Sequence, residues 1–374
     1  MPGLLPDIDP KGLLEFSVVF TDRSLNHMSQ AFQGVMKDIN EMLKNVYGAE
    51  AAVVVPGGGT FAMEAVARQF ATDKRCLVLR NGWFSYRWSQ IIDTGKISSD
   101  VTVLKARMID DGDCAAFAPA PINEVTDRIL AERPDIVFAP HVETSSGIIL
   151  PDSYIKQMSD AVREVGGLMV LDCVASGAIW VDMDELGVDV LISAPQKGWS
   201  ASPCAGFVML TSRGLQALSS TTSTSFACDL RKWFEIMEAY INGGHAYHAT
   251  MPTDSLRKLR DTMKETEDYG FDKLRKEQAE LGHRVRELLA SRGFKSVAAD
   301  GYEAPGVVVS YTDIPDIRTG QLFAEHGLQI AAGVPLQCDE PESYSTFRLG
   351  LFGLDKLHNI ERTVKQLEDV LDVL

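Results

Sequence analysis

The apolar residues of the chain follow two rhythms. Short, mostly apolar runs at residues 51–55, 75–79, 101–104, 135–139, 168–171, 188–192 and 206–210 suit strands buried on both faces of a sheet. Between them apolar side chains recur at helical spacing. Met28, Phe32, Val35, Met36, Ile39 and Leu43 predict an amphipathic helix over about 24–47, and further helices are predicted over 61–70, 121–132 and 152–165. Strand and helix in steady alternation predict an α/β fold, a large and mostly parallel sheet of about seven strands with helices on both faces.

Outside that alternation the pattern changes. Residues 1–22 carry prolines and a short apolar patch, and read as an irregular N-terminal arm. Residues 211–250 are Ser/Thr-rich and then helical, and a long helix is predicted over 254–292. A smaller α/β unit follows, with strands at 294–298 and 306–311, a helix at 317–326, an extended piece at 347–351 and a closing amphipathic helix at 354–374. The break falls near Pro252, which divides the chain into the arm 1–22, a large domain 23–252 and a small C-terminal domain 253–374.

Composition narrows the partners. Thirty-six basic against 52 acidic residues in 374 give a formal charge of −16, which argues against nucleic acid or an anionic membrane as the main partner. Small anions remain open, since they are held by local fields. The six cysteines show no CxxC or metal-type spacing, so reduced thiols, no metal site and a cytoplasmic location are expected. The first residues lack the basic and apolar blocks of a signal peptide, and no run approaches the length of a membrane span.

Candidate chemistry gathers where predicted strands end. Asp172 closes the run 168–171 and Lys197 follows the run 188–192, which places both at the carboxyl edge of the sheet, where open α/β folds bind ligands. Alone, such a lysine is usually a solvated loop charge and such an aspartate a helix cap. Together they are what pyridoxal phosphate needs: an amine to hold the aldehyde as a Schiff base, and a carboxylate to keep the pyridine nitrogen protonated. Three more strand ends carry unusual groups. Pro56-Gly57-Gly58-Gly59-Thr60 is a glycine-rich turn before a helix, suited to a phosphate. Asn81-Gly82-Trp83-Phe84-Ser85-Tyr86-Arg87 reads as an aromatic loop able to stack on a flat ring. His141-Val142-Glu143-Thr144-Ser145-Ser146-Gly147 is a polar cluster. Core packing does not make successive sheet edges polar and glycine-rich together.

With these segments in view the sequence resembles the class V aminotransferases of the fold-type I pyridoxal-phosphate enzymes, in particular the alanine/serine–glyoxylate and 2-aminoethylphosphonate–pyruvate group. The resemblance runs from about residue 43 to the C-terminus, and Ser193-Ala194-Pro195-Gln196-Lys197 is its most specific element. It implies that Lys197 is the Schiff-base lysine and later the proton-moving base, that Asp172 pairs with the pyridine nitrogen, that Val174 packs beneath the ring and that Gln196 reaches the phosphate. Gly58, Gly59 and Thr60 become the phosphate cradle. Phe84 falls where the group stacks an aromatic on the ring, with Trp83 as its neighbouring alternative. Ser145 is expected at the cofactor's phenolic oxygen or the substrate. In Tyr247-His248-Ala249-Thr250-Met251-Pro252, the resemblance sends Tyr247 and Thr250 to the phosphate of a partner subunit, which implies a homodimer with composite sites. In Phe347-Arg348-Leu349-Gly350, Arg348 is the expected grip on the substrate carboxylate.

One segment departs from the group. Its usual Gly-Pro-rich start is replaced by Val19-Phe20-Thr21-Asp22-Arg23-Ser24-Leu25-Asn26-His27, a polar stretch suited either to a second anionic group of a substrate or to a capped helix start. The expected activity is transfer of an amino group from a small amino acid to glyoxylate or pyruvate, in two half-reactions through a pyridoxamine form. The alternatives are a 2-aminoethylphosphonate-type transaminase, a desulfurase or lyase of the same fold using Cys338, and a silent binding protein. Gln196 stands where desulfurases usually carry histidine, and the presence of both Lys197 and Arg348 argues against a silent protein.

Overall fold

Each of the seven apolar runs becomes a strand of one sheet. The computed structural model describes residues 7–18, 21 and 23–374, so residues 1–6, 19, 20 and 22 of the expected arm lie outside the described residues. The strands are β1 (Ala51–Pro56), β2 (Cys76–Arg80), β3 (Val101–Lys105), β4 (Ile136–Pro140), β5 (Leu168–Asp172), β6 (Val190–Ser193) and β7 (Ala205–Leu210), in the spatial order β1-β7-β6-β5-β4-β2-β3. Only β7 runs antiparallel to its two neighbours, while β6, β5, β4, β2 and β3 pair in parallel. Their continuous apolar character follows from being covered on both sides: every residue of β2, β4, β6 and β7 is buried.

Helices that cover the sheet include α1 (Gln30–Tyr47), α2 (Gly59–Phe70), α3 (Trp83–Gly95), α4 (Ile122–Glu132) and α5 (Asp152–Glu164), with Leu230–Ile241 packed on β1. α1 starts later than its apolar spacing suggested because Ser29 caps it, its side chain accepting from the Phe32 N–H. Of the stretch expected as an aromatic loop at 81–87, residues 83–87 form the start of α3 instead, with Gly82 at its N-cap. Periodicity could not show this, because a helix start rich in Trp, Phe and Tyr has no polar face.

The C-terminal part is built on a three-stranded antiparallel sheet, β8 (Val307–Tyr311), β10 (Thr346–Gly350) and β9 (Ala331–Ala332), with β10 in the centre. Here several expected elements are broken. The long helix over 254–292 divides at Gly270, whose φ of 103° interrupts it, into Thr253–Tyr269 and Phe271–Ser291. The helix over 317–326 divides in the same way at Gly320, and the closing helix divides at Asn359. Residues 294–298 form no strand; they make only single bridges, Ser296 to Ser310 and Ala298 to Phe117, because their backbone is shared between two neighbours.

Among the described residues no helix is long and apolar enough to cross a membrane, and no group of three or more His, Cys, Asp or Glu side chains is placed to hold a metal.

Candidate active site

Parallel strands deliver their ends to one edge, so Pro56, Arg80, Pro140, Asp172 and Ser193 all hand the chain to loops on the same side of the sheet. Those loops enclose a cavity of about 190 Å³ lined by Gly59, Thr60, Phe84, Thr144, Asp172, Val174, Gln196 and Lys197, with Arg87 and Met63 beside them. A larger groove of about 720 Å³ runs along residues 103–111. Two ion pairs cross it, Lys105 with Asp339 and Arg107 with Glu124, and its remaining acids, Asp110 and Asp111, stand with no amine beyond those already paired among the described residues.

The glycine turn is fixed by crowding. A Cβ on Gly59 would stand 2.8 Å from Val174 Cγ2, and one on Gly206 of β7 would stand 2.6 Å from the Gly58 carbonyl oxygen. With no side chains in the way, α2 begins directly at the cavity wall. The first N–H groups of a helix have no carbonyl of their own helix to bond and carry its positive dipole end. Gly59 and Thr60 therefore present a cradle for an anion.

Asp172 is buried, and its Oδ1 accepts a 2.9 Å hydrogen bond from the Val174 N–H. Burial pushes its carboxyl up to about 6, helped by the nearby charge of Glu143 and opposed by the Val174 N–H and by Arg87. A cation placed against it would be held firmly. Lys197 lies in the turn after β6, with its amine 4.9 Å from the centre of the Phe352 ring. Burial and the positive charge of Arg348 both lower its pKa. The Asp172 and Lys197 loops touch one another where a Cβ on Gly198 would meet the Gly177 carbonyl oxygen at 2.1 Å. Gln196 lines the same cavity and leaves its amide oxygen buried without a partner.

Phe84 lines the cavity, while the Trp83 ring packs on Tyr86. Glu143, fully buried, holds this turn in place. It accepts from the N–H groups of Phe84 and Ser85 at 3.2 and 2.8 Å, from the Ser85 hydroxyl at 2.7 Å, and from the Ser145 N–H and hydroxyl at 3.1 and 2.8 Å. The Ser145 hydroxyl donates to Glu143 and accepts from the Trp83 N–H, and the neighbouring Thr144 is the residue that lines the cavity. Adjacent positions in a polar run of Thr-Ser-Ser cannot be told apart by composition.

Arg348 sits on β10 with its Nε donating to the Ala332 carbonyl at 2.8 Å and its guanidinium carbon 5.7 Å from the Phe84 ring. Tyr247 and Thr250 are not at this cavity. They share a 3.3 Å hydroxyl contact on an exposed loop, beside a separate hollow of about 270 Å³ that also includes His27 and Trp233. Cys338 is buried against the Arg80 carbonyl, and burial pushes its thiol up to about 12. Sequence reasoning passed over Arg87 and Glu143. Glu143 lay inside the polar cluster 141–147 without a role of its own; a carboxylate buried there without a basic partner needs N–H and O–H donors, which Phe84, Ser85 and Ser145 supply.

A sheet edge that joins a glycine cradle, an aromatic wall, a buried acid and a depressed amine defines a fold-type I pyridoxal-phosphate enzyme. The residues fit that cofactor: the cradle suits its phosphate, Asp172 its ring nitrogen and Lys197 its aldehyde. The chain belongs to the class-V aminotransferase family, whose model matches residues 15–351. It is 26% identical to alanine–glyoxylate aminotransferase 1 of Saccharomyces cerevisiae over 83% of this chain and 82% of the relative. It is 26% identical to the 2-aminoethylphosphonate–pyruvate transaminase of Syntrophobacter fumaroxidans over 91% and 88%. In structure it is similar to the alanine–glyoxylate aminotransferase of Nostoc sp., with a TM-score of 0.77 at 24% identity, covering 93% of this chain and 89% of that one. The protein is a pyridoxal-phosphate-dependent aminotransferase.

Proposed function

We propose that this aminotransferase moves the amino group of a small amino acid, alanine, serine or a similar donor, to glyoxylate or pyruvate. The observation that carries the reading is the single cavity lined by Asp172, Lys197 and the Gly59-Thr60 helix start. When bound, pyridoxal phosphate supplies an aldehyde for the amino group and a ring that absorbs the electron pair left at the α-carbon. The chain supplies the rest. Lys197, its pKa lowered by burial and by the charge of Arg348, takes the proton from the substrate α-carbon and returns it to the other side of the transferred nitrogen. Asp172 keeps the ring nitrogen protonated. Val174 and Phe84 provide its two apolar walls, and Gln196 joins Gly58, Gly59 and Thr60 at the phosphate. Thr144 serves at the place first given to Ser145.

Arg348 grips the substrate carboxylate. With Nε fixed on the Ala332 carbonyl, its terminal nitrogens remain for a two-pronged bond. A second reading, transfer from 2-aminoethylphosphonate to pyruvate, is supported by the relatives of that name, since the same guanidinium suits a phosphonate. Adding alanine, serine, aspartate and 2-aminoethylphosphonate singly to the cofactor-loaded protein, and following the loss of its visible absorbance, tests both. Response to alanine or serine supports the first reading. Response to the phosphonate alone replaces it, and response to none removes the transaminase assignment for small donors. A desulfurase reading is disfavoured because a buried thiol with a pKa near 12 is a poor nucleophile at neutral pH.

The same reading makes residues 23–252 the cofactor-binding domain, residues 253–374 the small domain and residues 1–22 an arm. It also makes the protein a cytoplasmic homodimer in which Tyr247 and Thr250 serve the partner's phosphate. The exposed apolar residues Leu13, Leu14, Phe16, Val18 and Phe226 support a covered surface there.

A further inference from the structure

We propose that Arg87 makes this site selective for a phosphorylated cofactor over the same cofactor without its phosphate. The inference rests on reading the cavity as the cofactor site. Two guanidiniums flank the Phe84 ring, Arg87 at 5.2 Å and Arg348 at 5.7 Å from its centre. Arg348 is tied back to Ala332 and belongs to the substrate end. Arg87 lines the cavity, and among the described residues it forms no ion pair.

Its one side-chain hydrogen bond among the described residues assigns its task. Nη1 of Arg87 lies 2.8 Å from Thr60 Oγ1. A guanidinium can only donate, so the Thr60 oxygen is the acceptor in this contact and its own proton is free to turn toward the cavity. Arg87 thereby orients Thr60 as a donor at the start of α2, where the helix also offers its N–H groups. A cation, an oriented hydroxyl and a helix start converge on one point. That is a site for a phosphate ester, and it offers nothing in particular to the neutral hydroxymethyl group that replaces it in pyridoxal. The Phe84 face beneath the guanidinium shields it from water on one side, which strengthens the attraction.

The test compares two ligands on the full-length protein stripped of cofactor. Dissociation constants for pyridoxal phosphate and for pyridoxal are measured by absorbance for the wild type, Arg87→Met, Arg87→Lys, Thr60→Val and the Arg87→Met/Thr60→Val double variant. The expected result is that Arg87→Met weakens pyridoxal phosphate by roughly 10- to 100-fold, the loss of a charge-assisted hydrogen bond, while pyridoxal changes by less than about twofold. Arg87→Lys should recover part of the loss. The double variant should lose less than the product of the two single losses, because Arg87 acts partly through Thr60. Inorganic phosphate should compete with pyridoxal phosphate on the wild type and not on Arg87→Met. Pyridoxal doubles as the control for folding, since a collapsed variant loses both ligands. Equal losses for both ligands, or no loss of pyridoxal phosphate, overturn the role of Arg87. Failure of the wild type to bind either ligand overturns the reading of the cavity itself.

Discussion

At neutral pH Asp172 must carry its charge where water has been removed, and this sets a cost on the cofactor-free protein. Burial raises its carboxyl to about 6 against an ordinary 3.8. A group raised in this way favours the fold while protonated, below about pH 4. That contribution is lost as pH rises through 6, by up to about 3 kcal/mol. Asp172→Asn is therefore expected to make the cofactor-free protein more stable than wild type at pH 7, with the gap closing as pH falls from 6 to 4. Urea denaturation across that range checks it; a gap that is absent at pH 7 or grows on acidification refutes it. The same variant should transaminate about 10²–10³-fold more slowly, since an amide cannot keep the ring nitrogen charged. Arg348 behaves differently. Lysine cannot hold the Ala332 carbonyl and a carboxylate together, so Arg348→Lys should raise KM for the amino donor by about 10- to 100-fold and lower kcat much less. A matching fall in kcat with KM unchanged would place Arg348 away from the substrate. Residues at this scale were legible where chemistry demands one side chain at a strand end, as for Asp172 and Lys197. Arg87 was hidden because its partner Thr60 is far away in sequence, and Thr144 because three adjacent hydroxyl residues look alike until one is seen to face the cavity.

Elements set the distances between those residues, and here glycines decide. The loops after β5 and β6 touch at Gly177 and Gly198, with room for no Cβ on Gly198. Gly198→Ala forces the Lys197 turn away from the Asp172 turn. It is expected to cost about 1–3 kcal/mol of stability and to weaken the cofactor's visible band even in folded protein, which thermal unfolding and absorbance together measure. An unchanged band at lowered stability would show that the two turns are not coupled. The seven-stranded sheet was readable from sequence because strands covered on both faces give unbroken apolar runs. The C-terminal unit was read less well. Its helices keep one apolar face across the interruptions at Gly270 and Gly320, so periodicity continues where the backbone does not. Residues 294–298 look like a strand in isolation but divide their hydrogen bonds between β8 and the Phe117 segment.

For the whole molecule the question is whether one chain contains a complete site. Tyr247 is 57% exposed and lies with Thr250 outside the cavity that holds Lys197, next to a hollow lined by Val18, His27 and Trp233. Leu13, Phe16 and Val18 of the arm are 84, 88 and 99% exposed, apolar surface that a second copy would cover if the site is shared. If Tyr247 and Thr250 complete a second copy's phosphate site, two defective chains can repair one another. A Lys197→Ala chain is inactive but carries an intact Tyr247-Thr250 loop. A chain with Tyr247→Phe and Thr250→Val binds cofactor poorly but carries an intact Lys197. In a mixed dimer one of the two sites receives the good lysine from one chain and the good loop from the other. Mixing the two proteins after mild dissociation should therefore restore activity that neither has alone, up to about a quarter of wild type when equal amounts exchange at random, because half of the dimers are mixed and each has one native site. Each protein incubated alone is the control. Failure to regain activity, when differently tagged chains are shown to have exchanged, would mean that the loop serves its own chain and that each subunit is complete by itself.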